Sequence, residues 1–150
     1  MRKSEPVMPE LLAASGRLIA ALEWNGVAMV EFKLDPLTRE FCLMEINGRF
    51  WGSLPLAVAA GADFPSMLLD LELNGDIRPS PPYRSDVFCR LLSRDLQWYE
   101  SVLRGDTDMR IVEIPHAWDV FRQLALFLSP RHRFDVQRIG DPLPGLVDVG

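Results

Sequence analysis

Apolar positions near the start of the chain recur at helical spacing and then switch to alternation. Leu11, Leu12, Leu18, Ile19 and Leu22 share one face of a helical repeat, which predicts a helix over Pro9 to Leu22. Asn25-Gly26 supplies the residue types that often end one. From Gly26 to Leu34, and again from Glu40 to Asn47, the pattern predicts strands. Asp35-Pro36-Leu37-Thr38-Arg39 between them has turn chemistry, so an antiparallel hairpin is expected. Ser53 stands where it could cap a helix from Leu54-Pro55 to Gly61. Another helix is expected from Pro65 to Leu73, closed by Asn74-Gly75. Further on, spacing predicts helices over Asp86 to Leu103 and Trp118 to Leu128. Ile111 to Ile114 reads as a short strand or extended loop, and Asp141-Pro142-Leu143-Pro144 as an irregular tail. The expected class is α+β: a small antiparallel sheet around the central hairpin, with packed helices.

The hairpin raises a chemical question. Alternation places Ala28, Val30, Phe32 and Leu34 on one face of the first strand, with Cys42, Met44 and Ile46 on the matching face of the second. The other face then holds Val27, Met29, Glu31 and Lys33 opposite Phe41, Leu43, Glu45 and Asn47. The register that gathers the apolar side pairs Lys33 with Leu43, Glu31 with Glu45 and Met29 with Asn47. Two carboxylates directly opposed repel each other. On a face that also carries apolar residues, an uncompensated carboxylate is costly or has its pKa forced upward. A cation between them resolves this, and two carboxylates with one amide form the oxygen-only set that a hard ion such as Mg2+ prefers. Two other resolutions stay open: a local ion-pair cluster in which Lys33 and Arg49 neutralise the glutamates, or a shallow, wet face.

Composition narrows the class. At 150 residues, 48% apolar and 25% charged, the chain has the proportions of one globular domain. A net charge of -5 offers no electrostatic case for nucleic acid or an anionic membrane. The N-terminus lacks a signal-peptide apolar region and no apolar run is long enough to span a bilayer, so a cytoplasmic location is expected. Cys42 and Cys89 are far apart and in unlike contexts, which suggests neither a disulfide framework nor a CxxC metal site; both are expected in the core. His116 and His132 are read as surface or hydrogen-bonding residues, and Arg131-His132-Arg133 as a solvated surface. Trp24, Trp51, Trp98 and Trp118 read as core fillers, Trp51 drawing interest because it stands near Arg49. Arg78-Pro79-Ser80-Pro81-Pro82-Tyr83 reads as a stiff spacer, or else as a ligand for a partner.

Glu31 in VEFK, followed by Glu45, Asn47 and Arg49 in EINGR, resembles the ATP-grasp superfamily in its C-terminal catalytic subdomain. The FWGSLPLAVAAGADF that follows is similar to that family's helix after the motif, so the likeness covers about Trp24 to Leu73. It is nearest to the carbamoyl-phosphate-synthase-like and carboxylate–amine ligase members. The resemblance implies that Glu31, Glu45 and Asn47 hold one or two Mg2+ (or Mn2+) ions bridging the ATP phosphates. Arg49 would steady the transferred phosphoryl group or acyl phosphate, and Met44 would touch the adenine, a core role for Met44 being the other reading. The helix start at Ser53-Leu54 could offer amides to an anion, or be a plain helix start. Two departures stand out: Gly48 occupies a place where many relatives have proline, expected to loosen the loop, and no segment carries the nucleotide-binding lysines or glycine-rich loop.

The expectation is therefore an ATP-grasp C-terminal subdomain over residues 1–78 with a mainly helical extension over 79–150. It would form the C-terminal portion of a ligase that activates a carboxylate through an acyl phosphate. Alone it would be incomplete, its partners being ATP, a carboxylate substrate and a missing ATP-grasp subdomain or subunit. The alternative is a non-catalytic module that forms a homodimer or docks on a partner.

Overall fold

The computed structural model describes residues 1–78, 80–104, 118, 132–136, 141 and 143. The strand or loop expected at 111–114 lies outside them, as does the helix expected at 118–128 apart from Trp118. The chain forms two compact units, Glu5–Ser85 and the pairing of Met1–Ser4 with Asp86–Gly150.

In the Glu5–Ser85 unit, helix α1 (Pro9–Ala21) starts with proline in its first turn, where a missing amide loses no bond. Its end comes earlier than Asn25-Gly26. Leu22 is the C-cap and Glu23 turns into the left-handed region at φ 49°. The Glu23 amide donates to the Ala20 carbonyl at 3.0 Å, and the Trp24 amide to that of Ile19 at 3.1 Å. This bond pair is a Schellman motif, with a glutamate where glycine is usual. Sequence signals miss it because a left-handed glutamate costs about 1 kcal/mol, so glycine is the residue one looks for. Of the helix, Ala14 is buried, whereas Leu12 and Leu22 of the expected apolar face are exposed.

Strands β2 (Met29–Leu34) and β3 (Phe41–Asn47) form the expected antiparallel hairpin. Asp35 shapes the turn: its carboxylate accepts from the amides of Leu37 and Thr38 at 2.8 and 3.1 Å, while Arg39 takes a left-handed φ of 65°. The pairing is Met29 with Asn47 and Glu31 with Glu45, as the alternation requires, but then slips to Phe32 with Leu43 and Leu34 with Phe41. One extra residue on β3, Met44, makes this a β-bulge. The physical reason is visible in the sizes involved. The slip moves Phe41 and Leu43 onto the side of Val30, Phe32, Leu34 and Ile46, and the Phe32 and Phe41 rings meet edge-on at 5.5 Å. Cys42 moves the other way, is paired with Lys33, and is exposed rather than core.

After the hairpin come α2 (Leu54–Ala60) and α3 (Phe64–Asn74), each with proline in its first turn and followed by a left-handed glycine, Gly61 at φ 107° and Gly75 at φ 72°. Ser53 makes no side-chain capping bond. The cap with that chemistry belongs to α3: the Asp63 carboxylate accepts from the Ser66 amide at 3.2 Å and from the Ser66 hydroxyl at 2.8 Å. Trp51 packs edge-on against Phe64 at 5.2 Å. Past the proline-rich segment, Tyr83 donates its hydroxyl to the Glu5 carbonyl, and the Arg84 amide and guanidinium donate to the Ala60 and Ala59 carbonyls, all at 2.8 Å. The two Arg84 bonds satisfy carbonyls that the end of α2 leaves open.

The other unit departs most from the helical pattern. Asp86 to Arg90 is not helix: Asp86 is left-handed at φ 60°, and Phe88–Arg90 is strand β4, with α4 (Leu92–Arg104) beginning only afterwards. β4 lies between β1 (Arg2–Lys3), antiparallel, and β5 (His132–Phe134), parallel. The partners that make it a strand are more than 40 residues away on one side and more than 80 on the other, so its pairing could not be read from neighbouring residues. Cys89 is buried as expected, but on a strand. His132, expected on a solvated surface, is buried and stacks on Phe88 at 4.8 Å. Burial, helped by the Arg90 charge, pushes its pKa down. Arg90, itself buried, donates through Nε to the Asp95 carboxylate at 2.7 Å, and Arg2 pairs with Asp135 at 2.6 Å.

Among the described residues no single helix is long and apolar enough to cross a membrane; α2 and α3 together reach the required length but are bent by 87°.

Candidate metal and phosphate site

The register places Glu31 and Glu45 directly across the hairpin, and Asn47 two residues further along the same face of β3. Asn47 Nδ2 donates to Glu45 Oε1 at 2.5 Å, so the two side chains stand together. Glu31 and Glu45 are exposed and Asn47 is half-buried. This corrects the expectation of an apolar surrounding. The bulge has taken Phe41 and Leu43 away to the opposite face, so the glutamates have Lys33 and Cys42 on the turn side, while half-buried Met29, paired with Asn47, is the apolar neighbour that stays. An exposed pair of opposed carboxylates still repels, but water meets part of the cost that burial would have made severe.

Among the described residues, neither Glu31 nor Glu45 forms an ion pair with Lys33 or Arg49. The Arg49 guanidinium instead donates to the Phe50 carbonyl at 3.1 Å and is exposed. The local-neutralisation reading of the glutamates is thus not the arrangement adopted.

The donor set suits a hard cation. The amide nitrogen of Asn47 faces Glu45, which leaves its carbonyl oxygen free of that bond, and both Glu31 oxygens and the second Glu45 oxygen remain as acceptors. No group of three or more His, Cys, Asp or Glu side chains gathers among the described residues, so the set offered to a cation here is two carboxylates and one amide. Two carboxylates and an amide leave places for water and for phosphate oxygens, the coordination Mg2+ accepts most readily.

Met44, as the extra residue of the bulge, has no partner across the hairpin and is 57% exposed, so the core alternative for it is set aside. The turn of the hairpin forms an open groove of about 720 Å³ that includes Lys33, Asp35, Arg39 and Cys42 but none of the site residues.

Gly48 is not the loosened position its lack of a side chain suggests. A Cβ built there would lie 2.5 Å from two ring carbons of Trp24, so the indole occupies the space beside the backbone. Trp24 is therefore a neighbour of the site rather than a core filler, being 43% exposed. No spacing rule connects residues 24 and 48, and only the fold brings them together. The bulge left no such trace either: Phe41 with Leu43 and Met44 with Ile46 are each spaced by two, so alternation fits both faces of β3.

A family model described as "ATP-grasp in the biosynthetic pathway with Ter operon" matches residues 6–93, more than half of the chain. The match contains the hairpin, the two helices after it and every residue of the candidate site. No curated protein and no solved structure matches the chain.

Proposed function

Because the chain belongs to this ATP-grasp family, we propose that it is the C-terminal portion of a ligase that activates a carboxylate through an acyl phosphate. The single observation that supports this most is the opposed pair Glu31 and Glu45, with Asn47 bonded to Glu45 on the same face. In this reading Glu31, Glu45 and Asn47 hold Mg2+ or Mn2+, whose part is to neutralise phosphate charge. Arg49, exposed on the segment that follows, reaches the phosphoryl group being transferred, which suits a reaction governed by positioning and charge neutralisation. Met44, exposed beside Glu45, offers an apolar surface to the adenine. Residues 1–78 form the ATP-grasp subdomain and 79–150 its extension. The rest of the nucleotide site comes from another segment or subunit, and the setting is cytoplasmic. Within the superfamily this reading assigns the chain to the carbamoyl-phosphate-synthase-like and carboxylate–amine ligase branch.

The test is isothermal calorimetry of the chain with Mg2+ and with Mg2+–ATP, beside Glu45→Gln. Binding that is lost in the variant supports the assignment. Equal binding by both removes Glu45 from the site.

A second reading has its own support: Phe41 and Leu43, on the apolar face of the hairpin, remain 39% and 44% exposed. Such a face suits a module that dimerises or docks on a partner. A nucleotide-indifferent homodimer in light scattering, dissociated by Leu43→Lys, would favour it over the ligase reading.

A further inference from the structure

The loop that carries Asn47 and Arg49 out of the hairpin is held by a residue from a different part of the chain. Trp24 approaches it under two constraints. Its backbone is set by the end of α1, where Glu23 accepts a left-handed φ of 49° and the Trp24 amide bonds the Ile19 carbonyl at 3.1 Å. Its ring is set by Nε1, which donates to the Val27 carbonyl at 3.1 Å. With both ends fixed, the six-membered edge of the indole lies against Gly48, so that even one added carbon would sit 2.5 Å from it. Strained backbone held in place by surrounding bonds is a recurrent mark of functional geometry. A tryptophan whose purpose was to fill a core would be largely covered, yet this one is 43% exposed.

We infer that Trp24 is a positioning residue: it seats Gly48 and thereby sets where the Asn47 amide and the Arg49 guanidinium stand. This rests on the reading of Glu31, Glu45 and Asn47 as the cation and phosphate site. Trp24 touches neither cation nor nucleotide. It acts through the backbone of the loop, and the glycine exists to admit it.

The experiment uses the full 150-residue chain and its Trp24→Leu, Trp24→Phe, Gly48→Ala and Trp24→Leu/Gly48→Ala variants, with two NMR readouts. The first is backbone order at Gly48, Arg49 and Phe50 from heteronuclear relaxation. The second is Mg2+ affinity from the Asn47 side-chain amide shift. Expected results are loss of loop order in Trp24→Leu with Mg2+ affinity weakened about tenfold, the equivalent of one lost hydrogen bond. Trp24→Phe, which keeps a ring against the glycine, should recover part of both. Gly48→Ala should displace the loop through the clash with the indole, and the double variant, which has no indole to clash with, should match Trp24→Leu with no further loss. Unaltered loop order in Trp24→Leu, or a further loss when Gly48→Ala is added to Trp24→Leu, overturns the inference. Absence of any Mg2+-dependent shift at Asn47 in the native chain counts against the cation site instead, while the loop-order measurement still decides the role of Trp24.

Discussion

Replacing Glu31 by Gln tests the opposed carboxylates through a reversal of sign. Directly facing residues of an antiparallel pair have Cβ atoms about 5 Å apart, and Glu31 faces Glu45. Two unit charges at about 5 Å in water repel by about 0.8 kcal/mol. A Debye length of about 8 Å removes roughly half of that at physiological ionic strength. Since both side chains are exposed, no larger figure is justified. In low salt with chelator, Glu31→Gln should therefore be more stable than the native chain by about 0.5–0.8 kcal/mol, a rise in Tm of roughly 1–3 °C. With Mg2+ at about ten times its Kd, the native chain gains about 1.4 kcal/mol by mass action. The variant, short of one ligand, gains much less, and the order of stability inverts. Urea denaturation followed by tryptophan fluorescence, with chelator and then with Mg2+, measures both. An unchanged offset under the two conditions would sink the shared cation. A variant less stable than the native chain in chelator would show that the glutamates do not repel, and the facing-pair reasoning would be wrong.

Other outcomes follow from single features. Glu23→Gly removes the left-handed strain at φ 49° and should stabilise the chain by about 1 kcal/mol, read as a higher urea midpoint; a lower midpoint would mean the conformation is not strained. Of the two thiols, exposed Cys42 should react rapidly with a disulfide reagent. Cys89 should stay protected until unfolding, because burial, aided by Asp135, pushes its thiol up to about 12; two fast thiols per chain would contradict its burial. His132 is held below its usual pKa by burial and by Arg90, so the unfolded chain binds the extra proton first. Its contribution is thus present above pH about 6.5 and is lost as the pH falls toward its folded value. Stability measured between pH 7 and 5 should fall on acidification, and His132→Phe, which keeps an aromatic ring against Phe88, should flatten that fall.

Local chemistry was enough to reveal the elements of the Glu5–Ser85 unit. Pro9, Pro55 and Pro65 each stand in the first turn of a helix, and Gly61 and Gly75 stand where helices close. Asp35 shapes its turn through its own carboxylate, a bond spanning two or three residues. The pairing of Glu31 with Glu45 was expected from the register that gathers one apolar face, but counting from the turn as folded puts Glu31 opposite Met44, and only the bulge brings Glu45 across. What alternation misplaced was the company these glutamates keep. A one-residue slip reverses faces, and Met44 as the extra residue sends Phe41 and Leu43 to the apolar side.

The sequence by itself determined the α+β class, the hairpin and the family likeness, all through interactions between near neighbours or through a motif of fixed spacing. Tertiary structure alone decided the rest. Asp86 to Arg90 was expected at the start of a helix, yet its backbone pairs with Arg2–Lys3 and with His132–Phe134. Those distant strands also bury His132. Trp24 reaches Gly48 only because the end of α1 and the exit of β3 meet in space. Hydrogen bonds and packing depend on proximity in three dimensions, and a contact between residues 24 and 48, or 89 and 133, leaves no periodic trace along the chain.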